Sequence, residues 1–192
     1  MQTERQIEII EAALELITEK GIQGMTIKNL SKKIGITEPA IYRHFESKTE
    51  ILLGVLNNFK EMAVMISGLM ENYEAVAMEK ISFMFSKMLD LFSEHPSIVS
   101  VVFSEEIFKN EEVLKTRIVE ILNLHAQTIE SIVEKGQLEK NVREDIDKES
   151  LALIAMGSFR LLVKRWDLNN HNFDLSIEGK KLINVISKVL KK

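Results

Sequence analysis

Six basic side chains, Lys20, Lys28, Lys32, Lys33, Arg43 and Lys48, fall in a stretch that holds two acids, Glu38 and Glu46. That stretch carries a net +4, before any contribution from His44, inside a 192-residue chain whose formal net charge is −4. Hydroxyls at Thr26 and Thr37 and the aromatic ring of Tyr42 lie among these charges. Such a patch can hold a polyanion, because where the charge sits matters more than its sum. Immediately upstream, Glu8, Glu11, Glu15 and Glu19 place the opposite sign along one helical face.

Other chemistry is thinly represented. The chain has no Cys, which excludes disulfides, thiolate metal sites and cysteine nucleophiles. His95 and His125 have no partner four residues away, so no metal centre is expected. Glu105-Glu106 is the one adjacent acid pair of interest and reads as a solvated helix face; no glycine loop suited to cradling phosphate occurs. Neither an enzyme nor a cofactor is expected. No apolar run reaches the roughly 18 residues of a membrane span, and the start lacks the order of a secretion signal. The expectation is therefore a cytoplasmic protein with no membrane partner.

The elements that position the patch read as helices throughout. Thr3-Glu4-Arg5-Gln6 is a capping-box pattern, followed by Ile10, Ala13, Leu14 and Ile17 on one face and Gly21 as a stop. Thr26 opens a short helix with Ile27, Leu30 and Ile34 apolar, ended by Gly35. Thr37 caps a third, with Ile36 and Ile41 at the spacing of a hydrophobic staple. Ser47-Lys48-Thr49-Glu50 is a further capping box and starts a helix expected to reach about Met70. Helices are then predicted over Glu74–His95, briefly after Pro96, over Glu111–Lys135, Asp147–Asp167 and Asp174–Leu190. A loop is predicted around Gly136–Asp145.

Three closely spaced helices with a Gly35-Ile36 turn between the second and third have the form of a helix-turn-helix. Ile27, Leu30, Ile34, Ile36 and Ile41 supply the inner faces, and Ser31 is small enough for close approach. The polar face of the third helix then points outward, its first turn being the part that enters a major groove.

The run Thr37-Glu38-Pro39-Ala40-Ile41-Tyr42-Arg43-His44-Phe45-Glu46-Ser47-Lys48-Thr49-Glu50-Ile51-Leu52, with Ala12-Ala13, Gly21, Thr26 and Leu30 upstream, resembles the TetR family of transcriptional repressors. The resemblance covers roughly the first 60 residues; beyond them it rests on helix layout, Gly157 and Trp166-Asp167-Leu168. It implies an all-α fold, with an N-terminal three-helix DNA-binding domain over 3–63 and its motif at 26–45. A C-terminal helical domain for ligand binding and dimerisation would span 64–192. By the same resemblance, Thr26, Thr37, Tyr42, His44, Lys48 and Lys28 hold phosphates, which positions the protein without reading sequence. Pro39 sits in the same first turn. Glu38, Ala40 and Arg43 are the candidates for base contact, with cytosine N4, a thymine methyl and guanine O6 and N7 respectively. Ile41 and Phe45 belong to the core.

Seven of nine methionines lie between Met62 and Met156, and all phenylalanines but Phe45 lie beyond residue 58. The resemblance places an effector pocket among these helices, and flexible Met side chains suit an adaptable apolar cavity. Met62, Met84, Met88, Phe92, Phe103, His125 and Phe159 are the candidate effector-binding residues. His125 is the one polar ring in an apolar stripe and needs a partner. The last two helices read as a homodimer interface. Ala155, Gly157 and Ser158 permit close approach there, and Met156, Phe159, Leu162, Val163 and Trp166 supply apolar area. The partners implied are a double-stranded DNA operator with two-fold related half-sites and a small apolar effector. The ligand-free form would bind DNA, with the helix starting at Ser47 transmitting the ligand's effect. A second reading is a ligand-binding or scaffolding bundle without DNA-regulated output. Glu38 favours it, since this carboxylate repels phosphates unless a base occupies it.

Overall fold

The computed structural model describes residues 2–96, 98–99 and 111–191, and every regular element among them is helical. The bounded helices are α1 (Glu4–Gly24), α2 (Ile27–Ile34), α3 (Glu38–Tyr42), α4 (Lys48–Asn72), α5 (Ala77–Glu94), α6 (Glu112–Leu138), α7 (Lys148–Leu168) and α8 (Leu175–Leu190). Pro96, Ile98 and Val99 are also helical, and the rest of the short helix expected after Pro96 lies outside the described residues.

Local chemistry sets most of these boundaries. The Thr3 hydroxyl accepts from the Gln6 amide at 3.2 Å, while the Gln6 carboxamide accepts from the Thr3 amide at 3.0 Å. Regular α1 geometry breaks at Gly21 (φ +67°), and a last turn carries the helix on to Gly24. Asp147 and Asp174 cap α7 and α8 by accepting from the amides of Ser150 and Ile177. At Ser47 the box is half formed: its hydroxyl accepts from the Glu50 amide, but the Glu50 carboxylate accepts from Glu46.

The loop predicted to begin at Gly136 starts later, because α6 runs through this glycine to Leu138. A Cβ here would lie 2.5 Å from Val142 Cγ2 and 2.6 Å from Ala77 Cβ, so the missing side chain lets both pack against the helix. The Asn141 and Val142 amides then fold back onto the Gly136 carbonyl. Gly136→Ala overpacks this junction and is expected to lower stability by about 1–3 kcal/mol, read from thermal melting.

Two compact units result, Met1–Glu61 with Pro96–Ile121, and Met62–His95 with Leu122–Lys192. In the first, α1 packs on α2 and α2 on α3 around Ile9, Ala13, Leu16, Ile17, Leu30 and Ile41. The α1 face turns slightly from the one expected, with Leu16 buried and Leu14 half-buried. Lys60 and Arg117 both pair with Glu120, at 2.8 and 3.2 Å, tying α6 to α4 within this unit.

In the second unit α8 packs on α5 and α7. Its core holds Ile81, Met84, Phe85 and Leu89 of α5, Phe159, Val163 and Trp166 of α7, and Ile183 and Ile186 of α8. Ala155, Phe159, Val163 and Trp166, which the sequence suggested for an intersubunit face, are thus buried within the chain. The exposed apolar row of α7 is instead Leu153, Leu161 and Leu168, with Gly157 between them open to solvent.

Candidate functional site

The turn between α2 and α3 determines what the N-terminal unit presents outward. Gly35 adopts a left-handed conformation (φ +78°, ψ 28°), which a glycine reaches without a Cβ penalty. The amides of Gly35 and Ile36 both donate to the Ser31 carbonyl, at 2.9 and 3.0 Å, closing the helix and redirecting the chain. Ser31 is buried, as its size suggested.

On α2, the Thr26 hydroxyl accepts from the Asn29 amide at 3.1 Å, and Lys28 and Lys32 are exposed. On α3, Ile41 is 0% exposed and Phe45 just beyond is buried, while Tyr42 is 49% exposed. Thr37, Glu38, Pro39 and Arg43 are exposed, and Ala40 and His44 are half-buried. The Thr37 hydroxyl makes no capping bond, so helix capping does not consume it. The Gln6 carboxamide donates to the His44 carbonyl at 3.1 Å, holding the end of this segment against α1. The chain therefore brings the predicted polar set onto α2, α3 and the segment leading into α4, with the apolar residues turned inward.

The basic patch is smaller than the sequence count. Lys33 Nζ lies 2.7 Å from Glu19 and 2.9 Å from Glu15, so the acidic face of α1 takes up this charge. The hydrogen bond to Glu19, then that to Glu15, raises the Lys33 pKa; the bond to Lys33 lowers that of Glu19. Lys20, Lys28, Lys32 and Arg43 remain exposed. Lys48 is half-buried at the start of α4, and burial lowers its pKa.

In the second unit the candidate effector residues separate. Phe159 stacks on Phe85 with ring centroids 4.3 Å apart and tilts against Phe92 at 6.4 Å, forming one aromatic cluster. Met84 is buried, and Met62, Met88 and His125 are half-buried. Burial pushes the His125 imidazole below its ordinary pKa, favouring the neutral ring. Phe103 and the Glu105-Glu106 pair lie outside the described residues. A cavity of about 510 Å³ opens elsewhere in this unit, where Met70 of α4, Ala77 and Lys80 of α5, and Leu124, Thr128 and Ile132 of α6 line it. None of the candidate residues named from the sequence is in its wall. A signal existed: Lys80 stands in the helical row of Ala77, Ile81 and Met84, an unusual place for a solvated charge. Among the described residues no group of three His, Asp or Glu side chains can hold a metal, and no helix is long and apolar enough to cross a membrane.

A compact helix-turn-helix with an outward polar face, followed by a helical unit with a cavity, defines a DNA-binding transcriptional regulator. Residues 9–55 match the family model described as bacterial regulatory proteins, tetR family. Residues 75–192 match that of the MAATS-type transcriptional repressor C-terminal region. The chain belongs to the TetR family. The fatty acid metabolism regulator protein of Bacillus subtilis (strain 168) is 27% identical over 172 residues, covering 88% of this chain and 87% of its own. The nucleoid occlusion factor SlmA of Haemophilus influenzae is 24% identical over 167 residues, covering 84% and 76%. Among solved structures, FadR from Bacillus subtilis in complex with stearoyl-CoA superposes with a TM-score of 0.83 at 23% identity, covering 96% of this chain and 98% of that one. The ketosteroid regulator KstR2 of Mycobacterium tuberculosis gives a TM-score of 0.80 at 17% identity, covering 100% and 97%.

Proposed function

We propose that this protein is a cytoplasmic dimeric repressor that grips a two-fold related operator through Thr26–Lys48 and leaves it when a small, largely apolar effector enters the C-terminal helices. The observation that carries the reading is the division of α3, with Ile41 fully buried and Tyr42, Arg43 and Glu38 turned to solvent. Thr26, Lys28, Thr37, Tyr42, His44 and Lys48 hold phosphates, while Glu38, Ala40 and Arg43 meet base edges and Pro39 shapes the turn they share. Functionally, residues 3–63 read DNA and residues 64–192 bind the effector and dimerise.

Support for the dimer comes from Leu153, Gly157, Leu161 and Leu168 along one face of α7, with Ile177 and Val185 exposed on α8. Leu161 is 61% exposed, and a charge there strands a carboxylate in any apolar interface formed on this row. Leu161→Glu is expected to give a folded monomer in sedimentation at micromolar concentration, where the parent sediments as a dimer. A parent that sediments as a monomer would overturn this part.

The effector class to test first is a fatty acyl thioester, whose acyl chain is the apolar part that would enter the helices, since the related Bacillus subtilis FadR structure is a complex with stearoyl-CoA. Because α4 supplies residues to both units, a ligand that favours one helix arrangement can shift the population of DNA-competent dimers. The test is a shift assay on the DNA upstream of the protein's own gene, with stearoyl-CoA added to the bound complex. Release at micromolar ligand is expected. Undiminished binding at saturating ligand would overturn the proposed effector class, and absence of any sequence-preferring complex would overturn the repressor reading.

A further inference from the structure

The cavity between the ends of α4, α5 and α6 holds a charge that an apolar effector does not need. Lys80 is 4% exposed, and its Nζ donates to the Met70 carbonyl oxygen at 2.6 Å. An ammonium has three N–H donors, and no carboxylate pairs with this one among the described residues. A buried charge without a counter-ion is costly; Met70 lies in the last turn of α4, whose C-terminal carbonyls carry about half a negative charge, so the surroundings of Lys80 offset only part of it.

A second observation has the same sign. Lys80 stands in the first turn of α5, whose N-cap residue, Val76, has no side-chain acceptor to offer. Ala75 and Ala77, on either side of that cap, line the cavity together with Lys80. A helix N-terminus carries about half a positive charge, which the ammonium reinforces and does not offset. Glu79 in the same turn is exposed. At the rim, Lys135 and Glu139 lie 3.9 Å apart and offset each other, and Glu71 is exposed. Met70, Leu124 and Ile132 supply apolar wall.

We infer that this cavity binds a small organic monocarboxylate. Its carboxylate accepts from the Lys80 ammonium and the first amides of α5, and its hydrocarbon part lies against Met70, Leu124 and Ile132. A volume of about 510 Å³ is within the range of small-molecule sites. Glu71, exposed at the rim, disfavours a polyanion. The inference rests on the reading that the C-terminal unit takes a small effector, and adds the charge such a ligand carries.

The test is titration calorimetry on the full chain with hexanoate, 1-hexanol and inorganic phosphate as probes. Hexanoate is expected to bind one per chain, and 1-hexanol and phosphate at least about tenfold more weakly, as a missing hydrogen bond to a charged group implies. Lys80→Met should weaken hexanoate about 10–100-fold with its circular dichroism unchanged. Should that variant fail to fold, Ser131→Trp decides, because Ser131 is exposed on the cavity wall and a large side chain there fills it. Equal binding of hexanol, undiminished binding in the variants, or no heat with hexanoate at millimolar concentration would overturn the site. Operator release is measured separately. Hexanoate binding without release removes its link to regulation and leaves the site. Release by stearoyl-CoA without hexanoate binding removes the site and leaves the regulatory reading.

Discussion

Raising monovalent salt from 50 to 200 mM is expected to weaken operator binding by about 10³–10⁵-fold, the range for six to ten neutralised phosphates. Each N-terminal unit exposes Lys20, Lys28 and Lys32 and half-exposes Lys48, so the proposed dimer has enough cations for that number without Arg43, which is assigned to a base. Lys33 is spent on Glu15 and Glu19 and should contribute little. Removing Lys28 should therefore reduce the salt slope by about one for each phosphate it no longer neutralises, and Lys33→Gln should leave it nearly unchanged. Tyr42→Ala with Lys48→Ala removes two of the proposed phosphate-binding groups and is expected to cost at least about tenfold in affinity. Full affinity in that double variant, measured by shift assay with folding verified, would show that the DNA lies elsewhere.

Glu38 separates the repressor from a scaffolding bundle more sharply than any basic residue. It is exposed in the first turn of α3, where an unpaired carboxylate repels phosphate. A base partner such as cytosine N4 turns that repulsion into selectivity. Glu38→Gln would then relax preference at one operator position without a uniform loss.

The helix-turn-helix was legible because its determinants are local. The Thr26 cap reaches three residues ahead, Gly35 closes onto Ser31, and Ile41 follows the period of its own helix. Features set by distant partners were not legible. Lys33 meets Glu19 across 14 positions, and a charge count treats it as free. On α7, apolar residues cover most of the circumference, so periodicity does not say which of Phe159 and Leu161 turns inward. The cavity depends on three helix ends meeting, and its residues lie far apart in sequence. The placement of Lys80 against an apolar row was visible, but its meaning needed the Met70 carbonyl beside it.

Phe159 carries the second large effect and decides between two roles for one residue. Its ring is 5% exposed and stacked on Phe85, so Phe159→Ala removes both burial and an aromatic stacking partner. A buried Phe→Ala change costs about 3–5 kcal/mol, which for a chain of this size lowers the melting midpoint by about 6–20 °C. Phe159→Leu keeps most of the volume and should cost about 1.5 kcal/mol or less. Effector response distinguishes core from pocket wall. A core residue changes stability in proportion to the volume removed and leaves ligand affinity intact in the folded Leu variant. A pocket residue loses ligand affinity in that variant while its melting temperature barely moves. The ring packing of Phe85, Phe92 and Phe159 favours the first outcome, and the second would place the apolar effector inside this cluster.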